Sequence, residues 1–442
     1  MAVKLLTAQD ANWNLERGAF NILIDQRPVG IAVPQSADEV SEVVRSAAAD
    51  GKRVAAQCTG HLAAPLGSLT GTVLLRTAGL GGVQIDADAG TARVGAGALW
   101  SDLVPRASEL GLAALHGSAE NVGITGYTLG GGLSFYARKH GLACNRVRAI
   151  ELVTAGGEQV RVDAENGPDL FWALRGGGGS FGVVTALEFD LLPMPEIFAG
   201  ALFFPAEQVS DVLHGWREWT GGVPEEMTSV WRLLNFPPIP EVPEPLRGRS
   251  FTAIEAIYCG DPADGEELVG PLRELGSVAM DSVAVQPPAG IAELHMDPPE
   301  PVPYWGDSIL IGELPAAAID SLLEAVGPGS GSQLLSVELR HCGGALSRTP
   351  PGAGALATLP GSFFAFGVGF VPVPEAMART RGWVGSFKAA LEPYDAGIYL
   401  NFAEEPFEMT KAFPAKTVDR LREVKQRYDP EDLFQSNHPV TG

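Results

Sequence analysis

The chain has 442 residues, which is more than one compact core normally holds, so we expect two domains. Hydrophobic residues make up 45% and charged residues only 19%, a composition typical of a well-buried globular protein and not of a disordered one. The formal net charge is −22 at pH 7, and no Lys/Arg cluster interrupts it, so nucleic acid and anionic membranes are excluded as expected partners.

The beginning of the chain carries an apolar patch too short for a signal peptide, and no window of about 18 apolar residues predicts a membrane span. We therefore expect a cytoplasmic protein. Its four cysteines, Cys58, Cys144, Cys259 and Cys342, are scattered and form no CxxC pair, so we expect free thiols and no metal site. The sequence leaves the oligomeric state open.

The first part of the chain alternates predicted strands and helices. The segment SADEVSEVVRSAAADG predicts an amphipathic helix with Ser36 as N-cap and Glu39 completing a capping box. The strand RVAAQCTG leads into an uncharged loop, AAQCTGHLAAPLGS, whose only imidazole is His61. Two later strands join at Asp88–Gly90, and a hairpin turns at Gly156–Gly157.

Three glycine-rich turns each follow a strand-like segment, at Thr59–Gly67, Gly117–Gly132 and Gly176–Gly182. Glycine lets backbone N–H groups approach a ligand closely, so several such turns in one domain favour a large phosphate-bearing ligand. Tight turns alone explain any single cluster equally well. The standard nucleotide motifs do not fit: GAGALW lacks the third glycine of GxGxxG, and no P-loop GK[ST] is present. A dinucleotide stays open as the ligand.

After Pro195 the pattern changes to longer strands that alternate with helices. The predicted strands are Phe251–Cys259, Gln333–Leu339 and Ser362–Phe370. The predicted helices are Ala206–Thr220, Pro262–Leu275, Ala316–Ala325 and Glu375–Leu391, followed by Thr417–Tyr428 near the end. This alternation predicts an antiparallel sheet with helices on one face.

Five stretches, taken in order, carry a resemblance to a known family: CTGH, VGITGYTLGGGLSFYARKHGLACNRV, DLFWALRGGGGSFGVVTALEFDLLP, YLNFAEE and RYDPEDLFQSNHPV. They resemble the berberine bridge enzyme-like FAD-linked oxidoreductases, within the vanillyl-alcohol oxidase superfamily with its PCMH-type FAD domain. The resemblance implies an α+β fold. A PCMH-type FAD-binding domain of two α/β subdomains would span 1–195 (core about 26–195). A substrate domain, an antiparallel sheet covered by helices, would span 196–395, and a C-terminal return over 396–442 would complete the FAD domain.

The resemblance also implies the cofactor, FAD, held by a single covalent link. His61 stands where the family has a histidine bonded to the 8α-methyl group of the flavin. Ala119 stands where many members carry a second, cysteine tether, and Val122 stands where oxygen-reactive members have valine. The implied cofactor-binding residues are Gln57, Cys58, Thr59, Gly60, His61, Leu62, Gly117, Ala119, Val122, Gly123, Gly126, Tyr127, Gly130, Gly132, Val183, Tyr399, Asn401 and Asn437.

Neither base familiar from the family is present. Phe402 fills the place of the second tyrosine in YxNY, and Arg340 fills the place of a glutamate three residues before GG. The predicted catalytic set is therefore Arg340, His341 and Tyr399, with Tyr136 and Tyr304 as further candidates for the base.

Two interpretations of Arg340 stay open. It binds a carboxylate or enolate of the substrate, or it forms an ion pair with Glu338, because the two share one face of a strand while His341 takes the other.

The implied function is an FAD-dependent oxidase that removes a hydride from a C–H beside O or N. Its substrate would be a small alcohol, amine or natural-product intermediate and its acceptor O₂, with oxidative cyclisation in bacterial secondary metabolism as one version. A carbohydrate oxidase is the rival within the family. A flavin-bearing protein that catalyses a non-redox rearrangement or only binds a ligand is the rival outside it, and the missing bases keep it open.

Overall fold

A computed structural model describes residues 3–240 and 242–440. The first predicted domain begins at residue 1 and the C-terminal return ends at residue 442, so these two boundaries lie outside the described residues. The first sheet is parallel, with strand order β1-β3-β2. Its strands are β1 (Gly30–Ala32), β2 (Arg53–Gln57) and β3 (Thr72–Arg76). Phe434 bridges to Val54 in parallel, so the end of the chain returns to this sheet.

The second sheet is antiparallel, with order β4-β5-β9-β7-β8. Its strands are β4 (Val83–Asp86), β5 (Thr91–Gly95), β7 (Val147–Val153), β8 (Gln159–Asp163) and β9 (Val183–Asp190). The short strands β6 (Leu112–Ala113) and β10 (Leu192–Pro193) pair with each other. The two strands predicted to join at Asp88–Gly90 and the hairpin at Gly156–Gly157 are both confirmed.

The third sheet has nine strands, with order β14-β11-β13-β12-β17-β18-β16-β19 and β15 beside β11. They are β11 (Ile197–Pro205), β12 (Met227–Asn235), β13 (Ser250–Tyr258), β14 (Met280–Asp281), β15 (Ala284–Gln286), β16 (Tyr304–Ile311), β17 (Ser336–His341), β18 (Phe363–Phe370) and β19 (Asp395–Gly397). The strand predicted at Gln333–Leu339 begins and ends later, because Leu335 still belongs to the preceding turn and donates to Val368 O. All strand pairings of the nine-stranded sheet are antiparallel, as predicted.

Twelve α-helices fall within the described residues. They are α1 (Trp13–Glu16), α2 (Ala37–Ala49), α3 (Trp100–Glu109), α4 (Ile124–Leu129), α5 (Ala137–His140), α6 (Pro168–Leu174), α7 (Val209–Thr220), α8 (Pro262–Arg273), α9 (Ile291–Leu294), α10 (Ala316–Val326), α11 (Met377–Leu391) and α12 (Ala415–Tyr428). Ser36 caps α2 by accepting from the backbone nitrogen of Glu39. The Glu39 carboxylate accepts from Gln35 N, one residue before the predicted capping-box partner. Within the described ranges, none of the helices has the length and hydropathy that a membrane crossing requires.

The nine-stranded sheet has two unlike faces. Helices α7, α8, α10 and α11 cover one of them, where their apolar side chains pack against Trp231, Ile254 and Leu339. Side chains alternate along a strand, so the neighbours Arg232, Glu255 and Glu338 lie on the other face. None of these four long helices covers this second face, which we therefore call the helix-free face. Within the described residues only the short helices α5 and α9 touch it, and it packs against residues that precede 195, such as Leu115 and Phe135. The α+β fold with helices on one face of an antiparallel sheet is thus confirmed.

Candidate active site

His61 lies at the start of the loop that follows β2. Its Nδ1 is 2.7 Å from Thr59 Oγ1, and its ring stacks on Phe20 with centroids 3.8 Å apart. Burial lowers the pKa of His61 to about 4, so the imidazole is neutral at pH 7. Its Nε2 is buried and has no hydrogen-bond partner among the described residues. A neutral imidazole with one unpaired nitrogen is suited to act as a nucleophile.

The glycine-rich segment that contains α4 is held by the YLNF segment. Tyr399 OH accepts from Gly132 N at 2.9 Å and from Asn401 Nδ2 at 3.0 Å. Asn401 Nδ2 also donates to Tyr127 O at 2.8 Å. These bonds bring four of the sequence-predicted residues together. A fifth, Asn437, donates through Nδ2 to Leu62 O and so joins the end of the chain to the His61 loop.

Unpaired polar atoms mark the space between these loops. Buried atoms without a partner among the described residues are Gln57 Nε2, His61 Nε2, Asn121 Oδ1, Thr125 Oγ1 and Tyr127 OH. A buried polar atom that lacks its hydrogen bond costs about 1–3 kcal/mol, so five of them around two loops are best explained by a ligand that pairs with them. A large polar cofactor fits this set of donors and acceptors.

The other predicted cofactor residues form two groups, one in the two loops and the other, Val183, in the second sheet. Cys58 packs under the second loop: a Cβ added at Gly123 would lie 2.9 Å from its Sγ, so only glycine fits there. Ala119 O accepts from Val122 N at 3.5 Å, which makes the turn of that loop, whereas Gly126 is exposed. Val183 begins β9 and packs in the apolar cluster that includes Val54 and Val153.

Arg340 projects from β17 on the helix-free face. Its Nε donates to Glu338 Oε1 at 2.8 Å, so the ion pair considered from the sequence is present. The guanidinium carbon lies 5.3 Å from the ring centroid of Phe402, whose ring is 6.0 Å from that of Tyr399. The two missing-base positions, 340 and 402, are therefore neighbours, and Tyr399 connects them to the glycine-rich segment.

His341 lies on the opposite face of β17, as the strand period predicts. Its Nε2 is 2.7 Å from Arg138 Nη1 and its ring stacks on Phe363. Burial, reinforced by the Arg138 charge, lowers the pKa of His341 to about 3. The structure thus separates His341 from Arg340 and Tyr399. A cavity of about 10 Å³, room for about one water, reaches both Arg340 and His341.

The remaining two candidates for the base are tyrosines. Tyr304 OH donates to His61 O at 2.7 Å, which ties β16 to the His61 loop. Tyr136 OH is buried and unpartnered in the described part of the chain, with its ring 6.0 Å from that of His116. Burial raises the pKa of both phenols well above their usual range, so neither is readily ionised at pH 7.

A buried row of charges next to Arg340 was not predicted from the sequence. His295 stands between two carboxylates, with Nδ1 2.8 Å from Glu255 Oε2 and Nε2 2.9 Å from Glu338 Oε2. Arg232 Nη1 closes the row, 2.9 Å from Glu255 Oε1. The sequence signal that could have predicted this row is a single charged residue within an otherwise apolar strand, Arg232 in SVWRLL and Glu255 in FTAIEAIY.

The segment after His295 crosses the cofactor loops. Ser118 Oγ donates to Asp297 Oδ2 at 2.6 Å, and Asn121 Nδ2 donates to the carbonyls of Pro298 and Pro299. Four prolines within MDPPEPVPYW were the sequence signal for this rigid crossing. The segment links the charge row to the loop that bears Ala119 and Val122.

The fold brings glycine-rich loops that carry unpaired buried polar atoms against one face of a nine-stranded antiparallel sheet, an arrangement that fits a protein with a large polar cofactor. Two family models match the chain: an FAD binding domain over residues 28–163, and "Berberine and berberine like" over residues 398–441. In these two segments the chain resembles the berberine bridge enzyme-like FAD-linked oxidoreductases, and it is an FAD-dependent oxidoreductase.

Relatives match along almost the whole chain. The xylooligosaccharide oxidase of Thermothelomyces thermophilus is 27% identical over 98% of this chain and 91% of its own length. The (R)-6-hydroxynicotine oxidase of Paenarthrobacter nicotinovorans is 29% identical over 94% of this chain and 91% of its own length.

Two solved structures share the fold. Physcomitrella patens BBE-like 1 superposes with a TM-score of 0.86 at 20% identity, covering 99% of this chain and 97% of that chain. The glucooligosaccharide oxidase of Acremonium strictum, described with a 6-S-cysteinyl, 8α-N1-histidyl FAD, gives 0.82 at 22% identity, covering 100% and 98%.

Proposed function

We propose that this oxidoreductase is an oxidase acting on a small organic molecule, and that its FAD is held by one covalent bond through His61. The substrate loses a hydride from a C–H beside O or N and a proton to a base, and O₂ takes up two electrons and two protons to become hydrogen peroxide. FAD supplies the two-electron hydride acceptor when it is bound. The observation that carries the proposal is the contact chain Arg340–Phe402–Tyr399–Gly132, which sets the helix-free sheet face against the cofactor loop.

The covalent link is supported by the state of His61. The ring is buried and neutral, its Nε2 has no hydrogen-bond partner among residues 3–240 and 242–440, and Phe20 stacks on it. The histidyl FAD described for the glucooligosaccharide oxidase gives a precedent on the same fold. Ala119 has no thiol, so the link proposed here is single.

The domain division proposed from the sequence is supported by sheet membership. Every strand of the first two sheets ends before 195, and the nine-stranded sheet begins at Ile197. Asp395–Gly397 straddles the proposed boundary at 396, because β19 still pairs with β16. The return to the first domain is supported by Val54 N, which donates to Leu433 O at 2.8 Å.

Use of O₂ as the electron acceptor is proposed because Val122 stands where oxygen-reactive members of the family have valine. Its carbonyl accepts a hydrogen bond from Trp100 N at 3.2 Å, which holds Val122 against the beginning of α3. A cytoplasmic location is supported by the four free cysteines, since thiols persist in a reducing compartment. A role in bacterial secondary metabolism is proposed on the Ala- and Gly-rich composition.

A carbohydrate oxidase is the second candidate, because the xylooligosaccharide oxidase covers nearly the whole chain. The deciding experiment mixes the FAD-loaded protein anaerobically with three sets of compounds: oligosaccharides, aromatic alcohols and acids, and secondary amines. Bleaching of the flavin absorption band, followed by peroxide formation when O₂ is admitted, supports an oxidase, and the set that bleaches identifies the substrate class. An oxidised spectrum that persists through all three sets contradicts the proposal and favours a non-redox role.

The acceptor is tested separately with Val122→Leu. We expect reoxidation by O₂ to slow by about tenfold, a change of about 1.4 kcal/mol in barrier, while anaerobic reduction is unchanged. If reoxidation keeps its wild-type rate, Val122 does not control oxygen access.

A further inference from the structure

The charge row on the helix-free face ends at Arg340. Arg232, His295 and Arg340 are its cations, and Glu255 and Glu338 are its anions. All five side chains are at least nine-tenths buried. Buried charges are stabilised only when each is paired and hydrogen-bonded, so the partner of each group has to be identified.

His295 shares both anions of the row. Burial and the Arg232 charge act to lower its pKa, but Glu255, Asp297 and Glu338 outweigh them and raise the pKa to about 9, so His295 is protonated at pH 7. Asp297 is 4.0 Å from His295 Nε2, partly exposed, and bonded to Ser118. The carboxylate of Glu338 is therefore divided between His295 and Arg340.

Arg340 is left with unused hydrogen-bonding capacity. Its Nε bonds to Glu338, and neither terminal nitrogen has a protein acceptor within residues 3–240 and 242–440. The guanidinium is surrounded instead by the rings of Phe402, Phe135 and Phe364, at 5.3, 5.8 and 5.9 Å from their centroids. The 9% of its side chain that is exposed is its only access to solvent.

The fork of an arginine matches a carboxylate, which accepts two parallel hydrogen bonds from it. We propose that Arg340 is the anion-binding residue of the substrate site and that the substrate carries a carboxylate on an apolar body that lies against the half-buried ring of Phe402. The identification of this ligand as the substrate rests on the proposed function. A cationic amine is repelled by Arg340, and a neutral sugar offers hydroxyl oxygens as acceptors but no negative charge to pair with the guanidinium.

The charge row determines where the carboxylate lies. Glu338 holds Nε of Arg340, and His295 holds the second oxygen of Glu338, so the guanidinium cannot rotate away from the rings. Phe402 touches both Arg340 and Tyr399, and Tyr399 holds Gly132. The carboxylate is thereby placed at the border between the sheet and the cofactor loop, and Glu338 and His295 are positioning residues.

The test is equilibrium binding of benzoate to the FAD-loaded protein, read from perturbation of the flavin spectrum and, independently, from calorimetry. Benzamide and benzylamine are the matched neutral and cationic probes. A charge-assisted pair corresponds to about a tenfold to hundredfold preference for benzoate over benzamide. Arg340→Gln removes this preference. Arg340→Lys keeps the charge, but its preference for benzoate falls by about tenfold, because one ammonium cannot make the two parallel hydrogen bonds.

Arg249→Gln is the matched control. This exposed arginine also stacks on a phenylalanine, Phe251, at 4.9 Å from the ring, and its loss leaves the benzoate preference unchanged. Equal binding of benzoate and benzamide to the wild-type protein overturns the proposal, as does a benzoate preference that survives in Arg340→Gln. If Arg340→Gln fails to fold, Arg340→Lys decides the question alone. Binding requires no turnover, so a benzoate preference combined with no flavin bleaching by any of the three compound sets contradicts only the proposed oxidase function.

Discussion

The phenol oxygen of Tyr399 lies 2.9 Å from the backbone nitrogen of Gly132, and this bond joins the C-terminal segment to the glycine-rich loop. Asn401 Nδ2 donates to the same oxygen at 3.0 Å, so Tyr399 accepts two hydrogen bonds in a fully buried position. Burial raises the pKa of Tyr399 well above its usual range. A phenol in this situation supports the loop more readily than it accepts a proton.

Replacing Tyr399 with Phe is expected to leave the Gly132 N–H buried without an acceptor. The free energy of unfolding in urea should fall by about 1–3 kcal/mol, and the FAD content of the purified protein should fall with it. Tyr394→Phe is the control, since its side chain is only half-buried. Lost turnover with stability and FAD content both unchanged would instead support Tyr399 as the base.

His61→Ala should release the flavin without unfolding the chain. Tyr304 OH bonds to the backbone carbonyl of His61, so the loop keeps this anchor when the ring is removed. Acid-precipitated wild-type protein should give a yellow pellet and His61→Ala a colourless one. His214→Ala, at a half-exposed histidine that contacts Asp320, should stay yellow. A colourless wild-type pellet would disprove the covalent link.

Gly130→Ala should disrupt the support of the loop. A Cβ at this position would lie 1.7 Å from Asn401 Oδ1, so Asn401 has to leave Tyr127 and Tyr399. Overpacking of this kind costs about 1–3 kcal/mol, and we expect the urea midpoint and the FAD content to drop together.

The matched control for this substitution is Gly385→Ala, on the exposed side of α11, where an added Cβ meets nothing within 4 Å. It should leave stability unchanged or raise it by up to about 1 kcal/mol, because alanine favours the helix. Removing the clash with Asn401→Ala in the Gly130→Ala background should restore part of the loss. No recovery would mean that the clash is with another part of the loop.

Glu404 should make the stability of the protein fall as the pH rises. Burial, with a contribution from Asp307, raises the pKa of Glu404 to about 8 from 4.5. Between these two values the folded chain holds a proton that the unfolded chain has released, so increasing pH favours unfolding until the folded pKa is passed. Glu404→Gln is neutral at every pH and lacks this dependence.

The measurement is the free energy of unfolding in urea at pH 5 and pH 8. The wild type should lose about 3–4 kcal/mol more than Glu404→Gln across this interval. Glu405→Gln, at the exposed neighbouring carboxylate, should follow the wild-type curve. Parallel curves for the wild type and Glu404→Gln would show that Glu404 is ionised in the folded protein.

Local order along the chain was predictable from the residues themselves. Ser36 predicts the beginning of α2 because a side-chain oxygen can satisfy a free N–H at a helix end, and the period of two predicts that Glu338 and Arg340 share a face. Ordered motifs led to the family and to FAD, and they singled out His61. In each case the determining interaction lies within a few residues or within one contiguous motif.

The partners of the charge row depend on contacts between distant segments. His295 meets Glu255 across 40 residues and Glu338 across 43, and it comes from a loop, which has no period to predict where a side chain points. The burial of Glu404 depends in the same way on how the sheets pack. The sequence by itself determined the fold, the cofactor and the residues at the missing-base positions. The tertiary structure decided which of them meet, because the pairing and desolvation of a charge depend on segments that only folding brings together.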